Sequence, residues 1–204
     1  MLTQPEEYDL DQHPKNATSI TSTYVKFIES AGGRVVPIHF THTFERLDDI
    51  MSNINGILFT GGDLDLIDPQ TGEYSQYTKL ASHIYQKAKE INDNGVVFPL
   101  WGTCQGHQLM MLLESQNNQI IQPTERYYEA DTLVLHNPRD SRIFEDFSDS
   151  LLNKLQTEAT TYNIHHFGVH LDDFENSERY LIFLICIDYQ AFIKCWQPTM
   201  MKVE

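Results

Sequence analysis

Positive charge, cysteine and long apolar runs are all scarce in this chain, and each shortage removes a class of protein. Only 14 Lys and Arg stand against 29 Asp and Glu, a net charge of −15 in 204 residues. That balance repels a phosphate backbone, so nucleic acid is not an expected partner. The three cysteines, Cys104, Cys186 and Cys195, cannot all pair and lie in no close zinc-type spacing, which disfavours a disulfide framework and a Cys-rich metal site. The longest apolar run, Leu181 to Ile187, falls far short of the roughly 20 residues that span a bilayer. No transmembrane helix and no membrane partner are expected. Residues Met1 to Glu7 have neither the basic nor the apolar segment of a secretory leader, so a complete chain would start in the cytosol. Pro/Gly/Ser-rich tracts and runs of like charge are missing too, and with 41% hydrophobic residues the chain reads as globular, one domain over 1–204.

What is present is an alternation of helical and strand-like periods from about Ser19 to Leu113. Tyr24, Val25, Phe27, Ile28 and Ala31 share a helical face, and Gly32-Gly33 supplies a stop. Arg34 to Phe40 reads as a strand in which Pro37 removes one donor. Phe44, Leu47, Ile50 and Met51 predict a second helix, and Gly56 to Thr60 a strand apolar on both faces. After the Gly61-Gly62-Asp63 turn and a polar loop to about Tyr74, Leu80, Ile84, Ala88 and Ile91 predict a third helix. Val96 to Trp101 is another buried strand. The order of elements predicts an α/β fold with a parallel sheet. From about Ile120 the pattern weakens to a strand-like Leu133 to His136, a short helix near Leu151 to Leu155 and an ambiguous apolar tail.

The chemistry centres on Gly102-Thr103-Cys104-Gln105-Gly106, which follows a strand and opens a helical pattern at Leu109, Leu112 and Leu113. This is the setting of a nucleophile elbow, with cysteine in the place often held by serine. Glycines on both sides let backbone approach closely, and the helix start favours thiolate. The alternative is a small buried hydrophobe, as most free cysteines are; Cys186 and Cys195, with no glycine near, read as inert. An acyl-transfer site also needs donors for an oxyanion. The N–H of Gln105 is one candidate, and the Gly61-Gly62 pair at a neighbouring strand end is another, unless that pair is only a turn.

Three stretches, Tyr24 to Ile38, Ile54 to Gly62 and Phe98 to Gly106, resemble gamma-glutamyl hydrolases of the class I glutamine amidotransferase-like superfamily. The likeness is dense over about 20–113 and extends, through Asn163-Ile164-His165-His166-Phe167-Gly168-Val169, to about 184. It implies a flavodoxin-like three-layer sandwich with a mostly parallel central sheet. It implies hydrolysis of gamma-glutamyl bonds, typically of folylpolyglutamates, in a lysosome, a vacuole or outside the cell. No metal and no organic cofactor are implied; the partner is a small-molecule or peptide substrate, with a homodimer left open. Cys104 aligns with the family nucleophile, and His165 or His166 with a histidine of the substrate cleft. His107, one turn into the elbow helix, is a further candidate wall residue. By spacing alone, His165, His166 and His170 read as a polar loop rather than a site, and it is the resemblance that favours the site.

The chain departs from the family pattern at three places. The family base lies in a His-Pro-Glu motif, and none of the nine histidines here, at 13, 39, 42, 83, 107, 136, 165, 166 and 170, has that context. Gln108 stands where the family usually has Glu, and Gln carries no charge. The domain is expected to be truncated at its first strand and divergent after about 185. Two further readings therefore stand beside the hydrolase: an inactive homologue or gene fragment that at most binds a gamma-glutamyl peptide, and the glutaminase domain of an amidotransferase.

Overall fold

A computed structural model describes residues 1–5, 17–135, 137–140 and 144–169. The elements, in chain order, are β1 (Gln4–Pro5), β2 (Thr18–Ser19), α1 (Ser22–Ser30), α2 (Phe44–Met51), β3 (Ile57–Phe59), α3 (Gln76–Asp93), β4 (Leu100–Gly102), α4 (Gln105–Ser115), β5 (Ile121–Asp131), α5 (Asp149–Thr157) and β6 (Thr161–Val169). The chain is α/β, and its described residues divide after Met110 into two compact units.

In the first unit the helices follow the apolar periodicity. Thr43 caps α2 by accepting from Arg46 N, and Ser75 caps α3 by accepting from Thr78 N, which satisfies donors that no preceding turn can reach. The inward face of α2 buries Leu47, Ile50 and Met51, and α3 packs against it, burying Leu80, Ala81, Ile84 and Ala88. The predicted first helix forms as well, and Gly32, at φ +85°, ends it while Gly33 N donates to Ile28 O. Its five-residue face is not a core face, however: α1 has no buried residue.

The parallel pairing lies where the buried runs predict it, in shorter pieces. β3 pairs with β4 in parallel, Ile57 opposite Leu100 and Phe59 opposite Gly102. The strand expected over Arg34 to Phe40 reduces to one parallel bridge between Leu2 and Ile38, held by Thr3 N to Ile38 O and Ile38 N to Met1 O, both 2.8 Å. Proline at position 37 has no N–H with which to extend it. The run from Val96 is likewise strand only at its end. The Asn92 side chain takes both ladder groups of Phe98, Nδ2 donating to its carbonyl and Oδ1 accepting from its N–H, and Val97 is left 72% exposed.

The second unit differs more from expectation. β5 and β6 form a long antiparallel ribbon, Ile121 opposite Val169 and Asp131 opposite Thr161, with irregularities between Pro123 and Arg126 and between Tyr127 and Glu129. His165 and His166, for which a polar loop stood as the alternative, thus lie on a strand. Leu133 and Leu135 are buried without being strand, and Leu133 N donates instead to Leu155 O. The short helix is α5, capped by Ser148 accepting from Leu151 N. His136, His170, Cys186, Cys195 and the apolar tail lie outside the described residues. No described helix is long and apolar enough to cross a membrane.

Candidate active site at the turn between β4 and α4

Cys104 joins β4 to α4 with φ at +52°, the left-handed region that a residue with a side chain rarely adopts. The turn is held on every side. Thr103 N donates to Phe59 O at the end of β3, and the first turn of α4 closes on Cys104 through His107 N and Gln108 N, both donating to its carbonyl. Trp101 Nε1 donates to Thr103 Oγ1 at 3.1 Å. The flanking glycines are required by contact. A Cβ on Gly102 would stand 2.6 Å from the Gly106 backbone, and one on Gly106 would overlap the Phe59 backbone.

Gln105 fixes the turn to the loop after β3. Its Oε1 accepts from Leu64 N at 3.0 Å and its Nε2 donates to Leu64 O at 2.8 Å, so the side chain engages both backbone polar groups of one residue. As first residue of α4, Gln105 has a backbone N–H with no intrahelical acceptor. Cys104 itself is half-buried, accessible enough to meet a ligand.

The Gly61-Gly62 turn lies against the same cysteine. A Cβ on Gly61 would stand 3.1 Å from Cys104 Cβ. Gly61 N donates to Tyr24 Oη at 3.0 Å, a partner that helical spacing had placed only on the apolar face of α1. Gly62 packs against the Gln4 side-chain amide, whose Nε2 is buried with no partner among the described residues. Neither contact follows from spacing; the one signal for Tyr24 was a polar tip within an otherwise apolar set.

The histidines divide. His107 is on the first turn of α4, and burial of its ring pushes its pKa down to about 4, so it is neutral near pH 7 and supplies no cation. His165 and His166 belong to the second unit, on β6, where they alternate to opposite faces. His165 is buried inside the ribbon, with Nδ1 3.4 Å from Thr124 Oγ1 and Nε2 donating to Asn163 Oδ1 at 3.3 Å. His166 is exposed. Among the described residues no group of three His, Cys, Asp or Glu is arranged to hold a metal ion.

The peptidase C26 family pattern matches residues 3–176. This chain belongs to the peptidase C26 family. It is 35% identical over 161 residues to the gamma-glutamyl hydrolase of Homo sapiens, covering 78% of this chain and 48% of that protein. It is 34% identical over 160 residues to the Rattus norvegicus gamma-glutamyl hydrolase, covering 78% and 49%. Gamma-glutamyl hydrolase B of Dictyostelium discoideum is 34% identical over 159 residues, covering 78% and 44%. The chain spans about half the length of the curated relatives it matches. Within this C26 chain, both the strained cysteine and the glycine turn beside it fall inside the matched region.

Proposed function

We propose that this chain is a cysteine hydrolase of the gamma-glutamyl hydrolase type, acting on gamma-glutamyl bonds such as those of folylpolyglutamates through a Cys104 thioester. The observation that carries the reading is Cys104 held at a positive φ between β4 and α4, in a family whose named relatives here are gamma-glutamyl hydrolases. Strain of this kind persists only where surrounding contacts enforce it, and it clusters at reactive sites.

In this reading the Cys104 sulfur attacks the gamma-carbonyl carbon, a C–S bond forms and the carbonyl π pair moves to oxygen. The N–H of Gln105 and the Gly61-Gly62 turn stabilise that oxygen. Collapse breaks the C–N bond and the leaving amine takes a proton; water then attacks the thioester, releasing the acid and restoring the thiol. An imidazole shuttles these protons, and His165, His166 and His107 are the candidates for lining the substrate. A flavodoxin-like sandwich with a mostly parallel central sheet is the architecture we infer for the family domain. No cofactor enters the scheme, and a homodimer and a lysosomal, vacuolar or extracellular setting belong to the same proposal.

The lack of a His-Pro-Glu tripeptide favours a second reading, in which the 204 residues bind a gamma-glutamyl peptide and turn it over slowly. Loss of one acid–base partner commonly costs on the order of 10² to 10⁴ in rate. The test is kcat/KM on a gamma-glutamyl peptide for this chain, for Cys104→Ala, and for a chimaera carrying a family His-Pro-Glu segment after Leu184. The hydrolase reading expects cysteine-dependent turnover that the chimaera raises about a hundredfold. Turnover that survives Cys104→Ala would refute it, and peptide binding with none in any variant would support the binder.

A further inference from the structure

We propose that the Gln105 side chain is a positioning group for the reaction at Cys104: it holds the loop after β3 so that the Gly61-Gly62 turn keeps its place beside the cysteine. The proposal rests on the reading of Cys104 as nucleophile. Gln105 is 7% exposed, and an amide taken out of water is costly unless its polar atoms are bonded. Here both atoms are bonded, and to one residue. Oε1 accepts from Leu64 N and Nε2 donates to Leu64 O, across 41 positions of sequence. An apolar side chain could fill the same place at the start of α4, but it would leave both Leu64 groups without these partners.

The two bonds complete a bracket around the site. On one side of the cysteine, Thr103 N donates to Phe59 O; on the other, Gln105 engages Leu64. The residues that flank Cys104 are thus tied to residues on either side of Gly61-Gly62, and Gly61 itself lies against Cys104 Cβ. Farther along, Leu66 O accepts from Ser75 N, the cap of α3, so Leu64 is the anchored point between the glycine turn and the start of that helix. Gln105 therefore reaches both proposed sources of oxyanion stabilisation, its own backbone N–H and, through Leu64, the loop that carries the glycine turn. Donors act best when they are fixed before the charge develops, and a displacement of about 1 Å can cost on the order of 10² in rate.

The test is Gln105→Met, which keeps the backbone N–H and nearly the side-chain volume while removing both bonds to Leu64. The proposal expects a loss of at least about tenfold in kcat with KM within about threefold, since the fixed geometry matters most in the transition state. Amide hydrogen exchange at Leu64, followed by NMR, should be at least about tenfold faster, because its N–H has lost its acceptor. Iodoacetamide labelling of Cys104, which develops no oxyanion, should stay within about twofold and reports an intact fold and thiol. Replacing Leu64 by its α-hydroxy acid analogue exchanges the N–H for an ester oxygen and removes the Oε1 bond from the other end. It should lower kcat in the native chain and add little beside Gln105→Met, because residues in one network are non-additive. Faster exchange at Leu64 with unchanged kcat overturns the proposal, since the contact is then structural alone. Unchanged exchange, additive losses in the double variant, or a fall in labelling parallel to the fall in kcat overturns it as well. A native chain that cleaves a gamma-glutamyl bond no faster than Cys104→Ala overturns the nucleophile reading and the proposal with it.

Discussion

The unit that carries Cys104 and the unit that carries the β5–β6 ribbon solve burial in opposite ways. In the first, α3 turns Leu80, Ile84 and Ala88 inward and leaves Lys79, Gln86 and Glu90 exposed. In the ribbon, β6 buries Thr161, Asn163 and His165 while Tyr162, at 56%, and Ile164, at 48%, stay exposed. The first arrangement is held by apolar surface removed from water. The second is held by hydrogen bonds: Thr161 Oγ1 donates to Asp131 O at 2.6 Å, and Asn163 Nδ2 donates to Glu129 O while its Oδ1 accepts from His165. A strand whose inner face is polar keeps its register by matching donors to acceptors, and a one-residue slip would strand them all.

The largest expected effect lies in the apolar unit. Ile84 is fully buried, and Ile84→Ala should cost about 3 kcal/mol in urea unfolding, from lost transfer energy plus the cavity. A loss under about 1 kcal/mol would mean that α3 is not packed as described.

His107 tests the same unit by pH. Its folded pKa, about 4, lies below the usual histidine value near 6.5, so the unfolded chain binds more protons between those values. The contribution of this residue to stability is therefore full above about 6.5 and falls as pH drops toward 4, by on the order of 3 kcal/mol. The pH slope of unfolding free energy over that window should be shallower in His107→Gln. An identical slope would show that the ring is hydrated.

In the ribbon the ranking by hydrophobicity should invert. Asn163→Ala removes the acceptor of the His165 ring N–H and the donor to two backbone carbonyls and should cost about 1 to 3 kcal/mol. Ile164→Thr, on the exposed face, should stay within about 0.5 kcal/mol. If the isoleucine change costs more than the asparagine change, the two regions are not built differently.

The same contrast explains what could be read from the chain. The faces of α2 and α3 and the β4-to-α4 turn were legible because a 3.6-residue apolar period and Gly-x-Cys-x-Gly are local patterns. β5 was not, since Gln122-Pro123-Thr124-Glu125-Arg126 has no apolar alternation, and β6 alternates with its polar residues inward. Val96 and Val97 misled because apolar content cannot reveal that Asn92 occupies the Phe98 ladder groups. At the site, Cys104 and Gln105 lie in one motif, and Gly61-Gly62 is a local glycine pair that ends a predicted strand. Tyr24 reaches Gly61 from 37 residues away in sequence, a contact that no local spacing encodes.

The central claim, that Cys104 is an acyl-accepting nucleophile, is tested most directly by acid-quenching a single turnover with a gamma-glutamyl peptide and weighing the cysteine peptides by mass spectrometry. The account predicts the gamma-glutamyl acyl group on Cys104, discharged by hydroxylamine as a thioester is and lost in Cys104→Ala. Hydrolysis with the acyl group on another residue, or persisting at the native rate in Cys104→Ala, would contradict it.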